Sequence, residues 1–393
     1  MLMSSHVDIR YLRLLMNVFP NFFSHILRDN PLYVLALTAV IALVGTAGSG
    51  GVQVQEPHEY SEQPQYTHDV HWPKVLDQFE WGVRGEFDPT LSGSAAGVGI
   101  DRNTGLVYVL VRSKPHVRVF REDGTYVRSW SPAKAGRMHM LHVDSAGNIW
   151  IADNQAHTVT QYAPDGNVLL TLGTHGEPGM DATHFNAPTD ISTTEDGQFV
   201  FVADGYGNNR IVKYDSIGNY LGMWGGAEIG IKNGEFQLPH SISVLDEKVY
   251  VADRSGARIQ VFDLDGNFIE DWRDIIIPWA VANFNGHIYV AGERLNRDQT
   301  TSDIAAINPA ETHELTPVRQ DITIFSAKGE EIGNVQLPQG REFGQVDWLH
   351  GIDVGADGDL YVADVVGNHI QKWKKTTSPW WSATVKNQPN LVR

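Results

Sequence analysis

The sequence predicts an all-β protein, a six-bladed β-propeller whose blades are four-stranded antiparallel meanders. Three observations point there: one apolar strand recurs six times, glycine turns separate the shorter strands around it, and the recurrences are nearly evenly spaced. The six copies are Leu106 to Arg112 (LVYVLVR), Asn148 to Asp153 (NIWIAD), Phe199 to Asp204 (FVFVAD), Lys248 to Asp253 (KVYVAD), His287 to Gly292 (HIYVAG) and Asp359 to Asp364 (DLYVAD). Asp153, Asp204 and Asp253 follow one another at 51 and 49 residues, and Arg112 precedes Asp153 by 41. Such a period with short strands is the signature of a propeller, because one blade alone cannot bury both faces of its sheet.

Each unit can be read in order. A short apolar strand comes first and ends in a turn, as at Asp144 to Gly147, Glu195 to Gly197 and Asp357 to Gly358. The recurring strand follows, then a third such as Arg210 to Asp215 (RIVKYD) or Arg258 to Asp263 (RIQVFD). A D-x-x-G-N turn leads to the outer strand, as in Tyr220 to Gly225 (YLGMWG). Glycine at these positions is hairpin chemistry. Gly292 and Asp364 stand 72 apart, so blade five carries a polar insertion, Asn296 to Arg319, expected as a loop over one face. Blade six lacks an outer strand near Trp373. Leu76 to Gly82 (LDQFEWG), which looks like YLGMWG, is expected to return and close the ring.

Composition bounds the function. The chain has 393 residues, 38 Gly and 42% hydrophobic residues, enough for a large β core. A net charge of -17 without basic patches argues against a nucleic-acid partner. There is no cysteine, which excludes disulfides, thiolate ligands and cysteine nucleophiles. Nothing in the sequence calls for more than a monomer.

The N-terminal part differs in kind. Residues 31 to 48 form an uncharged apolar run preceded by Arg10, Arg13 and Arg28, either the core of a secretory signal or a single membrane anchor. Both place the propeller outside the cytoplasm. The expected organisation is a targeting segment over 1–48, a flexible polar linker over 49–71, the propeller over 72–380 and a tail over 381–393.

Three histidines carry the chemistry. His139, His240 and His350 precede Asp153, Asp253 and Asp364 by 14, 13 and 14 residues, so each begins the first strand of its blade. In a propeller that strand lines the central channel. The matching positions in blades one, three and five fall near Val98, Thr189 and Trp279, so histidine alternates with other residues around the ring. One such histidine is an ordinary variant of a repeat. Three in alternation make a tri-His set with an open coordination position, as in catalytic zinc sites, although imidazoles accept other divalent metals too. The other histidines, among them His157, His175, His184 and His369, show no register and read as surface or loop residues.

The segments His184 to Ser192 (HFNAPTDIS), Val202 to Tyr214 (VADGYGNNRIVKY), Phe236 to Val244 (FQLPHSISV) and Val251 to Phe262 (VADRSGARIQVF) closely resemble the peptidyl-α-hydroxyglycine α-amidating lyases, NHL-repeat propellers that release glyoxylate from hydroxyglycine-extended peptides. The likeness spans about residues 90 to 375. It implies zinc at His139, His240 and His350, a catalytic Tyr206, and Arg112 and Arg254 as active-site guanidiniums. It implies as substrate a small peptide or another N-acyl hydroxyglycine. These residue types suit that chemistry, since two guanidiniums can hold a carboxylate and favour a phenolate, which proton abstraction by a phenol needs near neutral pH. The plainer readings are that Arg254 pairs with Asp271 and that Tyr206 is a packed turn aromatic.

The family also holds a structural calcium. Val98 and Leu141 match its backbone-carbonyl ligands, but Gly351 stands where its aspartate is common. Gly207 and Tyr250 occupy disulfide positions of the animal enzymes. No copper monooxygenase domain precedes the propeller in this sequence, so the hydroxylated substrate is expected from elsewhere. Two other classes remain: a non-catalytic NHL-repeat propeller acting as a binding module, and a calcium-dependent lactonase, for which Asp190 and Asp353 are the only acidic candidates near the channel.

Overall fold

The computed structural model describes residues 65–74, 95–226, 229–273, 276–294 and 320–376. The unit that contains the propeller runs from Tyr60 to Arg393. The apolar run at 31–48, Leu76 to Gly82, the blade-five insertion and the C-terminal tail lie outside the described residues. No described helix is long and apolar enough to cross a membrane.

After β1 (Gln65–His68) the chain builds its blades in sequence. Blade one holds β2 (Ala95–Asp101), β3 (Leu106–Val111), β4 (Val117–Arg121) and β5 (Tyr126–Trp130); blade two holds β6 (Met138–Val143), β7 (Ile149–Asp153), β8 (Thr158–Tyr162) and β9 (Val168–Leu172). Blade three holds β10 (Asp190–Thr193), β11 (Phe199–Asp204), β12 (Arg210–Asp215) and β13 (Tyr220–Gly225), with a single turn of helix, α1 (Gly205–Asn208), between β11 and β12. Blade four comprises β14 (Pro239–Leu245), β15 (Lys248–Asp253), β16 (Arg258–Asp263) and β17 (Phe268–Arg273). Blade five comprises β18 (Ile276–Phe284), β19 (His287–Arg294), β20 (Gln320–Ser326) and β21 (Glu331–Gln336). Blade six contributes β22 (Leu349–Val354), β23 (Leu360–Asp364) and β24 (His369–Thr376). Every sheet is four-stranded and antiparallel, and the first five are meanders of consecutive strands. Each innermost strand packs against those of both neighbouring blades, and β22 against β2 closes the circle.

The V-A-D triplet persists because its aspartate is a staple. Asp253 is buried and accepts from the backbone N–H groups of Gln237 and Leu238 at 2.9 and 2.8 Å, while Arg258 Nε donates to its other oxygen at 2.9 Å. Asp204 holds Asn186 and Arg210 in the same way, and Asp364 holds Asp347 and Trp348. One carboxylate thus ties the loop leading into the first strand to the end of the second, and charge-assisted bonds make the tie strong. The D-x-x-G-N turns are Asx turns: Asp215 accepts from Ile217 and Asn219, and Gly218 takes φ 89°.

The ring closes with a different segment from the one expected. The outer strand of blade six is β1, paired antiparallel with β24 from Gln65 opposite Thr376 to His68 opposite Trp373. The propeller therefore begins inside the stretch read as linker, and its boundary is not residue 72. Tyr66 packs on the core and donates to the Gly358 carbonyl at 3.2 Å, and Lys374 pairs with Asp69 at 2.8 Å. Trp72 then wedges between blades: fully buried, it meets Tyr361 of blade six and Phe120 of blade one at centroid distances of 5.1 and 5.9 Å. Its indole N–H donates to the Arg121 carbonyl at 3.1 Å. A chain begun at Val75 is expected to melt far below one begun at Tyr60 in scanning calorimetry, and Trp72→Ala to cost about 3–5 kcal/mol. Equal melting temperatures would show that the ring closes without this strand.

Candidate metal centre

A β-bulge places the three histidines. In blades two, four and six the register skips one residue at the start of the innermost strand, between Met138 and Met140, Pro239 and Ser241, and Leu349 and Gly351. The skipped residues are His139, His240 and His350. A bulge leaves the extra residue outside the pleat alternation and re-aims its side chain, here toward the channel. Blades one and five repeat the slip at Ala96 and Trp279. The blade-one equivalent of the histidines is therefore Ala96 and not Val98, because Ala95 pairs with Val111, one residue before Arg112, and the β2–β3 hairpin holds one residue more than β6–β7.

The imidazoles converge. Their ring centroids lie 4.6, 4.8 and 5.2 Å apart, all three side chains are buried, and one nitrogen from each falls within 4.8 Å of the others. Among the described residues this is the only cluster of three or more metal-ligating side chains. The second ring nitrogen of each is engaged. Nδ1 of His139 donates to the Thr189 carbonyl at 2.7 Å, Nδ1 of His240 to Trp279 at 2.6 Å, and Nδ1 of His350 to Ala96 at 2.7 Å. A carbonyl only accepts, so each Nδ1 carries the proton and each Nε2 lone pair is left for the channel axis. Such bonds fix tautomer and ring orientation at metal ligands. Burial holds all three rings neutral: it pushes His350 down to about 3, and His139 and His240 well below the usual imidazole range. Neutral, pre-oriented Nε2 atoms are what a divalent metal requires.

The other expected residues gather at this cluster. Tyr206 sits on α1, and its hydroxyl lies 3.0 Å from His139 Nε2 and 3.3 Å from His240 Nε2. The glycines on either side allow the approach, since a Cβ at Gly205 would stand 2.0 Å from the Pro239 carbonyl and one at Gly207 2.6 Å from that of Asn186. Tyr206 is 40% exposed, so it is a wet residue beside the histidines and not a packed turn aromatic. Arg254 follows β15 and is buried. It hydrogen-bonds Tyr206, and its guanidinium carbon lies 4.3 Å above the Trp279 ring. Asp271 instead faces Arg273 and, at 3.8 Å, Arg258. Arg112 donates through Nε to the Met138 carbonyl at 3.2 Å, and burial together with the charge of Arg137 pushes it down to about 10. The positive charge of Arg112 reaches all three histidines.

Val98, Leu141 and Gly351 line the channel below the histidines together with Asp190 and Asp353. Both carboxylates are spent on bonds between blades. Asp190 accepts from Ser241 Oγ at 2.6 Å and the Ile242 N–H, and Asp353 from the Ile100 N–H at 2.8 Å and Arg102 Nη2 at 2.5 Å. A lactonase-type acidic metal site is not assembled. Two residues near the centre carry no signal in the sequence: Ala96, whose carbonyl orients His350, and Glu293, opposite Gln320 in the β19–β20 register. Of the histidines read as surface or loop residues, His116 is buried and His369 opens β24.

No family model matches the sequence. The chain is 28% identical over 368 residues to peptidyl-glycine alpha-amidating monooxygenase of Mus musculus, covering 84% of this chain and 35% of that protein, so it spans about a third of that relative's length. It is 32% identical over 343 residues to NHL repeat-containing protein 3 of Mus musculus, covering 82% of this chain and 87% of that one. A probable peptidyl-alpha-hydroxyglycine alpha-amidating lyase of Caenorhabditis elegans is 34% identical over 159 residues, 40% of this chain and 45% of that protein. Among solved structures, a gluconolactonase from Xanthomonas campestris superposes with a TM-score of 0.52 at 13% identity, covering 80% of this chain and 96% of that one, a likeness of fold alone.

Purified without chelator, the protein is expected to carry close to one divalent ion per chain, and His240→Ala to lose it. Elemental analysis that finds the same metal content in both would rule out the tri-His site.

Proposed function

We propose a function from one premise: this chain belongs to the family of six-bladed NHL-repeat propellers that includes NHL repeat-containing protein 3 and the peptidyl-α-hydroxyglycine α-amidating lyases. Within it we read the chain as a zinc-dependent carbon–nitrogen lyase. Its substrate is a peptide ending in α-hydroxyglycine, or a related N-acyl hydroxyglycine, and its products are an amide and glyoxylate. The observation that carries this reading is the Tyr206 hydroxyl lying within 3.3 Å of two pre-oriented Nε2 atoms while Arg254 bonds the same tyrosine.

The three Nε2 atoms suit a zinc ion, which when bound there supplies Lewis acidity to the substrate's α-hydroxyl. Arg254 and Arg112 take the substrate carboxylate, and the Trp279 ring keeps the Arg254 guanidinium in place. With the carboxylate held, the hydroxyl comes within reach of Tyr206, which as the phenolate takes up its proton and becomes the phenol. The O–H electron pair becomes the new C=O bond of glyoxylate, the C–N bond breaks, and the amide nitrogen takes up a proton. Arg254, donating to the Tyr206 oxygen, stabilises the negative charge there. A non-catalytic binding module has no use for three buried imidazoles each locked in one tautomer. The apolar run at 31–48 supports a place outside the cytoplasm for this reaction.

Glyoxylate release from α-hydroxyhippurate, measured on metal-stripped protein with zinc restored, tests the reading. The wild type is expected to turn over, and Tyr206→Phe to lose about 10²- to 10⁴-fold in kcat, the usual weight of one positioned acid–base group. A zinc-restored wild type that releases no glyoxylate would sink the proposal.

A further inference from the structure

Two indoles stand together beside the histidines, on the side of blades five and six. Trp279, the residue skipped by the blade-five bulge, has its ring 5.3 Å from the His240 ring and 4.3 Å from the guanidinium carbon of Arg254. Trp348, two residues before His350, meets the Trp279 ring edge-on at 4.6 Å. Trp279 is buried, whereas Trp348 is only half-buried and keeps an open surface. Its backbone is held from behind: Asp364 accepts from its N–H at 3.1 Å, and its carbonyl accepts from the Val365 N–H at 3.1 Å. Asp253 and Asp364 pair with the residues just before His240 and His350, so Val365 occupies in blade six the register position that Arg254 occupies in blade four. Val365 and Val366 are both buried. Blade six thus offers apolar side chains where blade four offers a cation.

We propose that Trp348 is a specificity-determining residue, the open wall of an aromatic subsite for the acyl group of the substrate, so that substrates with an aromatic or other large apolar acyl group are preferred. The inference rests on the lyase reading, in which Arg254 holds the carboxylate. In an N-acyl hydroxyglycine only the α-carbon and the nitrogen separate the carboxylate from the acyl group, so the acyl group settles beside the clamp. Tyr206 and the histidines are engaged with the hydroxyl, and the guanidinium of Arg254 already covers the Trp279 ring. Trp348, in contact with that ring, is the neighbouring surface with room for a partner. An aryl group set against it gains apolar burial and a ring-on-ring contact, and a methyl group gains little of either. A tryptophan that served packing alone would be enclosed as Trp72 is, at 0% exposure between blades six and one.

Calorimetric binding of hippurate and of N-acetylglycine to zinc-loaded protein tests this. Both carry the carboxylate and lack the reacting hydroxyl, and they differ in a phenyl against a methyl group. The wild type is expected to bind hippurate about 30-fold more tightly. Trp348→Ala should cut that preference to about threefold through loss of hippurate affinity, and Trp348→Phe should keep most of it, a rescue that a merely structural role would not show. Equal affinities in the wild type overturn the proposal without recourse to any variant, and so does an undiminished preference in Trp348→Ala. Trp348-dependent hippurate binding in a protein that releases no glyoxylate would refute the lyase reading and leave the aromatic subsite standing. Glyoxylate released from N-acetyl-α-hydroxyglycine as efficiently as from α-hydroxyhippurate would do the reverse.

Discussion

Everything at the centre of this propeller depends on a backbone irregularity repeated in five of the six blades, while in blade three Thr189 stands just before an unbroken strand. The bulge at the head of the innermost strand turns one side chain toward the channel, and the same residue's carbonyl reaches the blade before it. Blades two, four and six use the side chain, at His139, His240 and His350. Blades three, five and one use the carbonyl, at Thr189, Trp279 and Ala96. Ligands and the groups that orient them thus come from one register position, alternating from blade to blade. The cost of burying three imidazoles is offset because each Nδ1–H is bonded to a carbonyl and the Tyr206 hydroxyl lies within hydrogen-bond distance of two of the Nε2 atoms.

That arrangement is only as rigid as the blades beneath it. Asp253 fixes the loop leading to His240, and Asp364 the loop leading to His350, each with two backbone N–H bonds. Asp204 does the same for the loop before Thr189, and its strand ends immediately before α1 and Tyr206. The aspartate that recurs in the sequence therefore supports both the histidine cluster and the turn that carries Tyr206. Closure by β1 and Trp72 matters for the same reason, because blade six carries His350 while blade one supplies Ala96 and Arg112.

The repeating strands are legible in the sequence because their Val, Ile and Tyr pattern answers to burial on both sides, between adjacent blades. The histidine register is legible because it is tied to the V-A-D aspartate by a nearly constant count. The closing strand is not: β1 is four residues, half-exposed, with only Tyr66 and His68 turned inward, and its partner lies at the other end of the chain. LDQFEWG has the composition of an outer strand, but outer strands are the least constrained in a blade, so resemblance to one says little about pairing. The Ala96 position was hidden for another reason. The count back from Arg112 misses it because Ala95 pairs with Val111, one residue earlier, and the β2–β3 hairpin is one residue longer than that of blade two. Glu293 carries no motif, and only the fold brings it opposite Gln320.

Six positions of equal geometry do not give six equal roles, and packing decides why. With ring centroids already within 5.2 Å, three imidazoles fill the axis, so the intervening residues must hold their side chains away from it. Ala96 has almost none, and Thr189 turns its hydroxyl to the Ala203 and Pro239 carbonyls. Trp279 is the exception in size. Its indole packs edge-on to Trp348 at 4.6 Å and lies under Arg254 at 4.3 Å. The large residue in blade five thus breaks the approximate threefold symmetry of the three imidazoles. Arg254 rests on that indole, and Tyr206 reaches in from blade three to His139 and His240, so the three imidazoles are no longer equivalent.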